Sequence, residues 1–593
     1  MRNLVAALFF IAVLGMLAPP VLAQAPAPAP APKVTINGLV DFVATVYSNW
    51  SGGGGTGSPS SFLNPAIVNI TDDRDKGWYT RERGIFTITG EVGRSRGVWS
   101  FELDFTNGAG VVGNAGNAYN STFGNMGASF PGTSANFDMD IDVASVVETK
   151  WLYIETPATG VGSFLPWIPF DSIIRVGGQP ARGHDYKVGI QLSGDFAGGN
   201  LTTNWTPDIR STLTYVQIGA KLDPLVAPGA NNNWAVAASL EMDVFKGLTV
   251  KPTYTYANYF GGQCGASNLG WPAVGGYNPN AGCLSVLNAT LPTPTNPPIL
   301  NGAPLKTWRH TIGGDVRWVI GGVSLQPTFL YQIGEGTRYR GPVNPLTGFP
   351  VPVIGNNNGT AGYDISAFIF DTIAGYRIGP LNLQARLMYT SGQAAQFQVN
   401  NGANVNYYTP INSGFSYMSG WSDIQTGGID YITALNAGTA SMTIRESPSY
   451  DKYGRIFLGF ASDYALTPAL TFTGLLNVSW TPYKVNTDSI QTITGLVPCP
   501  AVVTPGSAFG PCTSDGRGTE QYLGTETALG MTYRFAPNIA LDLIGSYLWA
   551  GAARNNAGGS TIGVATGTPT VPAPRALEAD DVWKVSTRLR FTF

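Results

Sequence analysis

Val582-Trp583-Lys584-Val585-Ser586-Thr587-Arg588-Leu589-Arg590-Phe591-Thr592-Phe593 decides how the rest of the sequence is read. Trp583, Val585, Leu589, Phe591 and Phe593 share one parity; Lys584, Ser586, Arg588, Arg590 and Thr592 share the other. A strand sends alternate side chains to opposite faces, so one face is apolar and the other cationic, whereas a helix would mix them. The same split recurs upstream. Trp99, Phe101, Leu103 and Phe105 alternate with Ser100, Glu102 and Asp104. Leu470, Phe472, Leu476, Val478 and Trp480 oppose Thr471, Thr473, Asn477 and Ser479, and Leu381, Leu383, Ala385, Leu387 and Tyr389 oppose Asn382, Gln384 and Arg386.

Alternation alone also suits a soluble β-sandwich. Two features favour a transmembrane β-barrel instead. The alternating runs are about 10 to 14 residues long against about 5 to 6 in ordinary sheets, which is the length of a tilted bilayer-crossing strand. The connections also take turns between short and long. Short ones are 93–97, 206–208, 246–247, 321–322, 379–380, 467–469 and 536–538, and long segments rich in Gly, Asn, Pro and Ser lie between them. Short periplasmic turns and long extracellular loops are the anatomy of an antiparallel outer-membrane barrel. The pattern predicts strands at 34–47, 79–92, 98–107, 147–156, 172–180, 189–204, 209–221, 234–245, 248–259, 307–320, 323–333, 363–378, 381–391, 454–466, 470–481, 521–535, 539–550 and 582–593. That is an all-β barrel of 18 strands, or 16 if one hairpin around 189–204 is lost. Trp78, Trp234, Trp308, Trp480, Trp549 and Trp583 fall at the long-loop ends and Trp99, Trp205 and Trp318 at the short-turn ends, as two interfacial girdles require.

Composition excludes other classes. Of 593 residues only 12% are charged, half the usual share, and the net charge is −3. No basic footprint for nucleic acid exists, and charge is too sparse for a coiled coil or an acidic disordered chain. Arg2, the apolar run 4–17 and Val21-Leu22-Ala23 read as a signal peptide over 1–23. An Ala-Pro tether follows over 24–33, and the barrel domain is expected over 34–593.

With these residues in view, the chain resembles Gram-negative outer-membrane porins. The specific match is Arg588-Leu589-Arg590-Phe591-Thr592-Phe593, where the terminal Phe593 with alternating apolar residues is similar to the signal read by the barrel-assembly machinery. The resemblance implies an outer-membrane location, lipid around the barrel, small hydrophilic solutes and ions as cargo, and a homotrimer as the mode of association.

In a barrel of 16 to 18 strands the polar parity lines an aqueous lumen. That parity nominates as pore-lining the cations Arg81, Arg83, Arg175, Arg309, Arg317, Arg386, Arg455, Arg534, Lys584, Arg588 and Arg590. The anions are Glu91, Glu102, Asp104, Asp315, Asp463, Glu526 and Asp542, with Asp41, Glu241 and Asp243 on the same parity. An acidic row on 98–107 and a basic row on 582–593 would set up a transverse field if they faced each other; the alternative is pairing across neighbouring strands. Two long segments, 108–146 and 392–453, are candidates for an infolded constriction. Asp138, Asp140 and Asp142 sit in the first at alternate positions; without Gly at the sixth position or Glu at the twelfth they read as an acidic constriction edge, not a calcium loop. Tyr407, Tyr408, Tyr417, Trp421 and Tyr431 in the second either form a stacking track or pack the loop onto itself.

Cys264 with Cys283 and Cys499 with Cys512 form two local pairs in loops, which on an exported chain read as disulfides contributing roughly 3 kcal/mol each. No metal or cofactor is expected. Nor is an enzyme: only His184 and His310 are available as bases, His310 on the outward parity and His184 in a loop without a nucleophile motif. The reading is a passive water-filled channel. Its alternatives are a substrate-specific channel for sugars or small carboxylates, and a structural or adhesive surface protein anchored by its barrel.

Overall fold

The computed structural model describes residues 31–48, 77–109, 141–143, 147–160, 162–180, 184–187, 190–192, 195–220, 232–260, 304–340, 359–394, 404–408, 410–411, 420–425, 453–485, 490–492, 495–497, 520–554 and 581–593. The signal segment, the tether up to residue 30, the four cysteines, Asp138 and Asp140 lie outside them.

Eighteen long strands carry the fold. They are β1 (Lys33–Ser48), β2 (Gly77–Val92), β3 (Ser95–Ala109), β4 (Val147–Pro157), β5 (Asp171–Pro180) and β6 (Asp195–Thr206). Next come β7 (Ile209–Ala220), β8 (Asn232–Phe245), β9 (Leu248–Phe260), β10 (Pro304–Ile320), β11 (Val323–Arg340) and β12 (Gly359–Ile378). The last are β13 (Leu381–Thr390), β14 (Arg455–Ala465), β15 (Leu470–Val485), β16 (Glu520–Ala536), β17 (Ile539–Ala550) and β18 (Val582–Thr592). Each pairs antiparallel with its sequence neighbours, and β1 also pairs with β18 from Leu39↔Thr592 to Ser48↔Trp583, so the sheet closes. A nineteenth, three-residue strand at Ile141–Val143 rides on β4, and a separate small hairpin joins Ile490–Thr492 to Gly495–Val497.

Polarity is inverted relative to a water-soluble protein. On β18, Lys584 and Ser586 are fully buried while Leu589 is 46% exposed. The same holds round the wall: Trp99, Leu213, Phe329, Phe460 and Leu543 are exposed, whereas Arg83, Thr214, Asp371, Asn477 and Glu526 are buried. Alternation has placed the polar parity inside the closed sheet and the apolar parity outside, the arrangement of a barrel whose outer solvent is lipid.

The seam shows how closure is held. Phe593 and Gly38 exchange backbone hydrogen bonds at 2.9 and 3.1 Å, and the Phe593 ring sits beside Phe86 with centroids 5.9 Å apart. A Cβ on Gly38 would lie 2.3 Å from the tip of that ring, so the position accepts the terminal aromatic only because it has no side chain. Gly247, in the two-residue turn between β8 and β9, adopts φ +92°, and a Cβ there would meet the Val319 carbonyl at 2.4 Å.

The structure corrects two element readings. The strand expected at 189–204 begins at Asp195, because residues 184–187 and 190–192 enter the lumen. β11 runs seven residues beyond 333, to Arg340. The described residues of the connection after β4, 158–160 and 162–170, form a compact fold of their own, closed by Leu165 N–H donating to Ala158 O at 2.9 Å and Gly160 N–H to Ile168 O at 3.2 Å.

Candidate functional site

The site is the lumen, and many of its wall charges are paired. Arg83 and Lys150 both engage Glu102, the latter at 2.7 Å. Arg96 and Arg175 share Glu155, Arg386 takes Asp371 at 2.6 Å, and Arg588 and Arg590 share Asp542 at 3.0 and 3.1 Å. Lys251 and Arg210 share Glu241 at 3.1 and 2.7 Å. These pairs join neighbouring strands, the short-range alternative to a field across the pore. The acidic and basic rows are not opposed: β3 and β18 are separated only by β1 and β2 and lie on one wall. Arg309 and Arg455 are buried; Arg317, Asp463 and Arg534 are exposed at the short-turn mouth, and Glu91 is half-buried beside Lys33. The side chains of Arg81, Asp104 and Asp142 lie outside the described residues.

Two loop segments fill part of the lumen. The first, 184–192 between β5 and β6, crosses to strands far along the sequence. Its Lys187 ammonium donates to Gln326 O at 2.8 Å, Thr328 Oγ1 at 2.7 Å and Asp371 O at 2.6 Å. Gln191 bonds Thr253 and Thr255 of β9 at 3.2 and 2.6 Å, and Tyr186 N–H donates to Asp315 Oδ2 at 3.1 Å. The Tyr186 ring lies between the cations of Lys251 and Arg317, 4.7 and 4.1 Å from its centroid. His184 bonds Thr214.

The second segment comprises the described parts of 391–454. Glu526 on β16 accepts from Asp423 N–H at 2.5 Å, Ile424 N–H at 2.9 Å, Gln425 N–H at 3.1 Å and Ser422 Oγ at 2.7 Å. Lys584 pairs with Asp423 at 2.8 Å, and Asn477 donates to Trp421 O at 2.8 Å. Farther up, Val405 makes a parallel bridge to Ile365.

The two segments are joined to each other. Tyr408 hydroxyl donates to Ile190 O at 2.8 Å, and Ile411 N–H to Gln191 O at 2.7 Å. Around this joint Ile190, Tyr408 and Trp421 pack on Leu330, Ala367, Ile369, Met388 and Phe457 of the inner wall. An apolar core inside a polar lumen fixes both segments by burial as well as hydrogen bonds.

Titration at the joint follows from its burial. Burial, aided by the Lys251 charge, pulls His184 down to about 3. Burial and the nearby Asp315 push Asp185 well above the usual carboxylate range. Its oxygens have no well-formed hydrogen bond, although the amides of Gln191 and Leu192 face them. Burial lowers Lys187 to about 8 against the attraction of Asp371. Tyr408 is raised, first by burial and then by Asp185.

The 108–146 candidate falls almost wholly outside the described residues. In 392–453, Tyr407, Tyr408 and Trp421 are buried against the wall rather than arrayed as a track, while Tyr417 and Tyr431 lie outside the described residues. His310 bonds Tyr254 on the outer face at 2.7 Å. Sequence reasoning missed 184–192, but a signal for it existed. On β12 both parities are apolar, with Ile365, Ala367 and Ile369 facing in and Phe368 and Phe370 facing out. A strand apolar on both faces is covered on both faces.

No family model matches the chain, and no curated protein matches it. Among solved structures, it is similar to Pseudomonas aeruginosa OccK5 (OpdH) at 9% identity and TM-score 0.41, covering 94% of this chain and 98% of that one. Acinetobacter baumannii OccAB4 is similar at 8% identity and TM-score 0.42, with 96% and 99% covered. A BenF-like porin from Pseudomonas fluorescens Pf-5 is similar at 8% identity and TM-score 0.41, with 95% and 98% covered. Likeness at this level carries no argument about solute or mechanism; the closed 18-strand barrel stands on its own strand pairing.

Proposed function

We propose that the chain is an outer-membrane porin that passes small hydrophilic solutes and ions through its lumen. The observation that carries the reading is the inverted polarity of a closed barrel: an apolar outer wall and a charged, hydrogen-bonding inner wall. Lipid requires the first and an aqueous path the second. The lumen acts by passage rather than chemistry, and no residue is assigned a catalytic role.

The joined segments favour a narrow, selective channel over a wide diffusion pore. Tyr408, Ile190, Ile411 and Gln191 tie them together inside the lumen, leaving a path bounded by loop and wall. Because many of the wall charges are paired across neighbouring strands, selection rests on size and local hydrogen bonding more than on a strong net field. Sugars and small carboxylates are the solute classes this suits. Export by the N-terminal segment, delivery by the barrel-assembly machinery through Phe593, two loop disulfides and a homotrimer complete the reading.

Swelling of vesicles containing the purified chain, with isosmotic sugars and carboxylates of graded size, tests it. Permeation falling steeply with solute size is the expected result. Equal passage of all small solutes would return the wide-pore reading. No permeation from folded barrels would leave a surface-structural protein.

A further inference from the structure

We propose that the 158–170 connection is a membrane-seated foot, which places Phe164 and Trp167 at the boundary between headgroups and acyl chains of the leaflet on the short-turn side. The inference rests on the reading of the barrel as membrane-spanning, and its partner is phospholipid.

Position comes first. Ser172 and Thr203 have outward parity, shared with Val176 on β5 and Leu201 on β6. Val176 is exposed, yet Ser172 and Thr203 are buried and bonded to each other at 2.8 Å. The rings that flank this row belong to the strand ends: Ala158 N–H continues the β4–β5 ladder to Ser172 O at 2.7 Å, and one row below, the Phe170 ring meets Trp205 edge-on at 4.6 Å. Trp205 in turn donates to Ser211 Oγ at 2.8 Å, on the parity of exposed Leu213 and Tyr215. The apolar outer band therefore runs through Phe170 and Trp205 to the edge of the wall where the segment is attached.

Composition and hydrogen bonding then identify the medium. No charged residue occurs from Ala158 to Phe170. Phe164 is 83% and Trp167 63% exposed, the former more than any other large apolar side chain among the described residues. Water penalises such exposure; the bilayer interface rewards it, above all for Trp. Most of the described backbone donors are also bonded by the protein itself. The amides of Ala158, Thr159, Gly160, Ser163, Phe164, Leu165 and Ile168 are bonded within the foot or to Pro157 and Ser172 of the flanking strands, and Pro166 and Pro169 have none.

The test places the photocrosslinker benzoylphenylalanine at Phe164 or Trp167 of the full chain in phosphatidylethanolamine–phosphatidylglycerol vesicles. Folding is checked by heat-modifiable migration, and Leu213 on the outer wall serves as a reference position. Irradiation is expected to add the mass of one phospholipid at all three positions. Adducts between two copies from Phe164 or Trp167 would overturn the proposal in favour of a chain–chain interface. Lipid adducts at Leu213 alone would overturn it while leaving the barrel in the membrane. No lipid adduct at any position would remove the membrane reading itself.

Discussion

Glu526 is the residue on which the larger lumenal segment hangs. Its buried carboxylate accepts four donors from Ser422 to Gln425, and hydrogen bonds to a charged group contribute about 1.5–3 kcal/mol each. Glu526→Ala should release that segment and raise single-channel conductance by about twofold or more, with Glu526→Gln intermediate because its amide keeps one acceptor oxygen. His184 and Asp185 give a pH signature whose sign depends on which is left. His184 has its docked pKa lowered to about 3, so its contribution is present above about 6.5 and is lost as pH falls towards 3. Asp185 has its docked pKa raised, so its contribution is present in acid and is lost as pH rises through that raised value. With Asp185→Asn, acidification from pH 7 should therefore loosen the loop and raise conductance; with His184→Gln it should tighten the loop and lower it. Planar-bilayer recordings between pH 7 and 4 check both. The inward parity of Glu526 and Lys584 was legible in the sequence, since alternation alone fixes which face a strand residue takes. Their partners Ser422 and Asp423 were not, because a contact between a wall and a distant loop leaves no periodic trace.

At the scale of elements, all eighteen strands and seven short turns were readable, because long alternating runs and Gly, Pro or Asn turns are local signals. The failure at 189–204 is instructive. Val188 to Leu192 alternates like a strand, yet Ile190, Gln191 and Leu192 are all buried, since the segment is enclosed by wall and loop together. Period two in the sequence cannot separate a barrel strand from a bent segment lodged inside the barrel. The doubly apolar β12 was the compensating clue, and it predicts that Ile369→Asn, facing the loop core, destabilises loop docking far more than Phe370→Asn perturbs it. Proteolysis of the lumenal segments in otherwise folded barrels would show the difference. The seam between β18 and β1 makes a second claim. Gly38→Val drives a side chain into the Phe593 ring and should cost about 1–3 kcal/mol, lowering the temperature at which the folded band is lost on a gel. Gly38→Val with Phe593→Ala should recover part of that loss.

For the whole molecule, the central claim is that solutes cross through a lumen narrowed by two segments tied at Tyr408 and Ile190. The barrel class was legible because it depends on parity and connection length; the narrowing was not, because it depends on where loops come to rest. The most direct measurement is single-channel conductance of the purified chain in a planar bilayer, beside a Tyr408→Ala variant that removes the hydroxyl donated to Ile190 O and the ring packed in the loop core. The account predicts small, discrete, ohmic steps from the native chain and distinctly larger steps from the variant. Silent native barrels that migrate as folded, or native and variant steps of the same size, would contradict it.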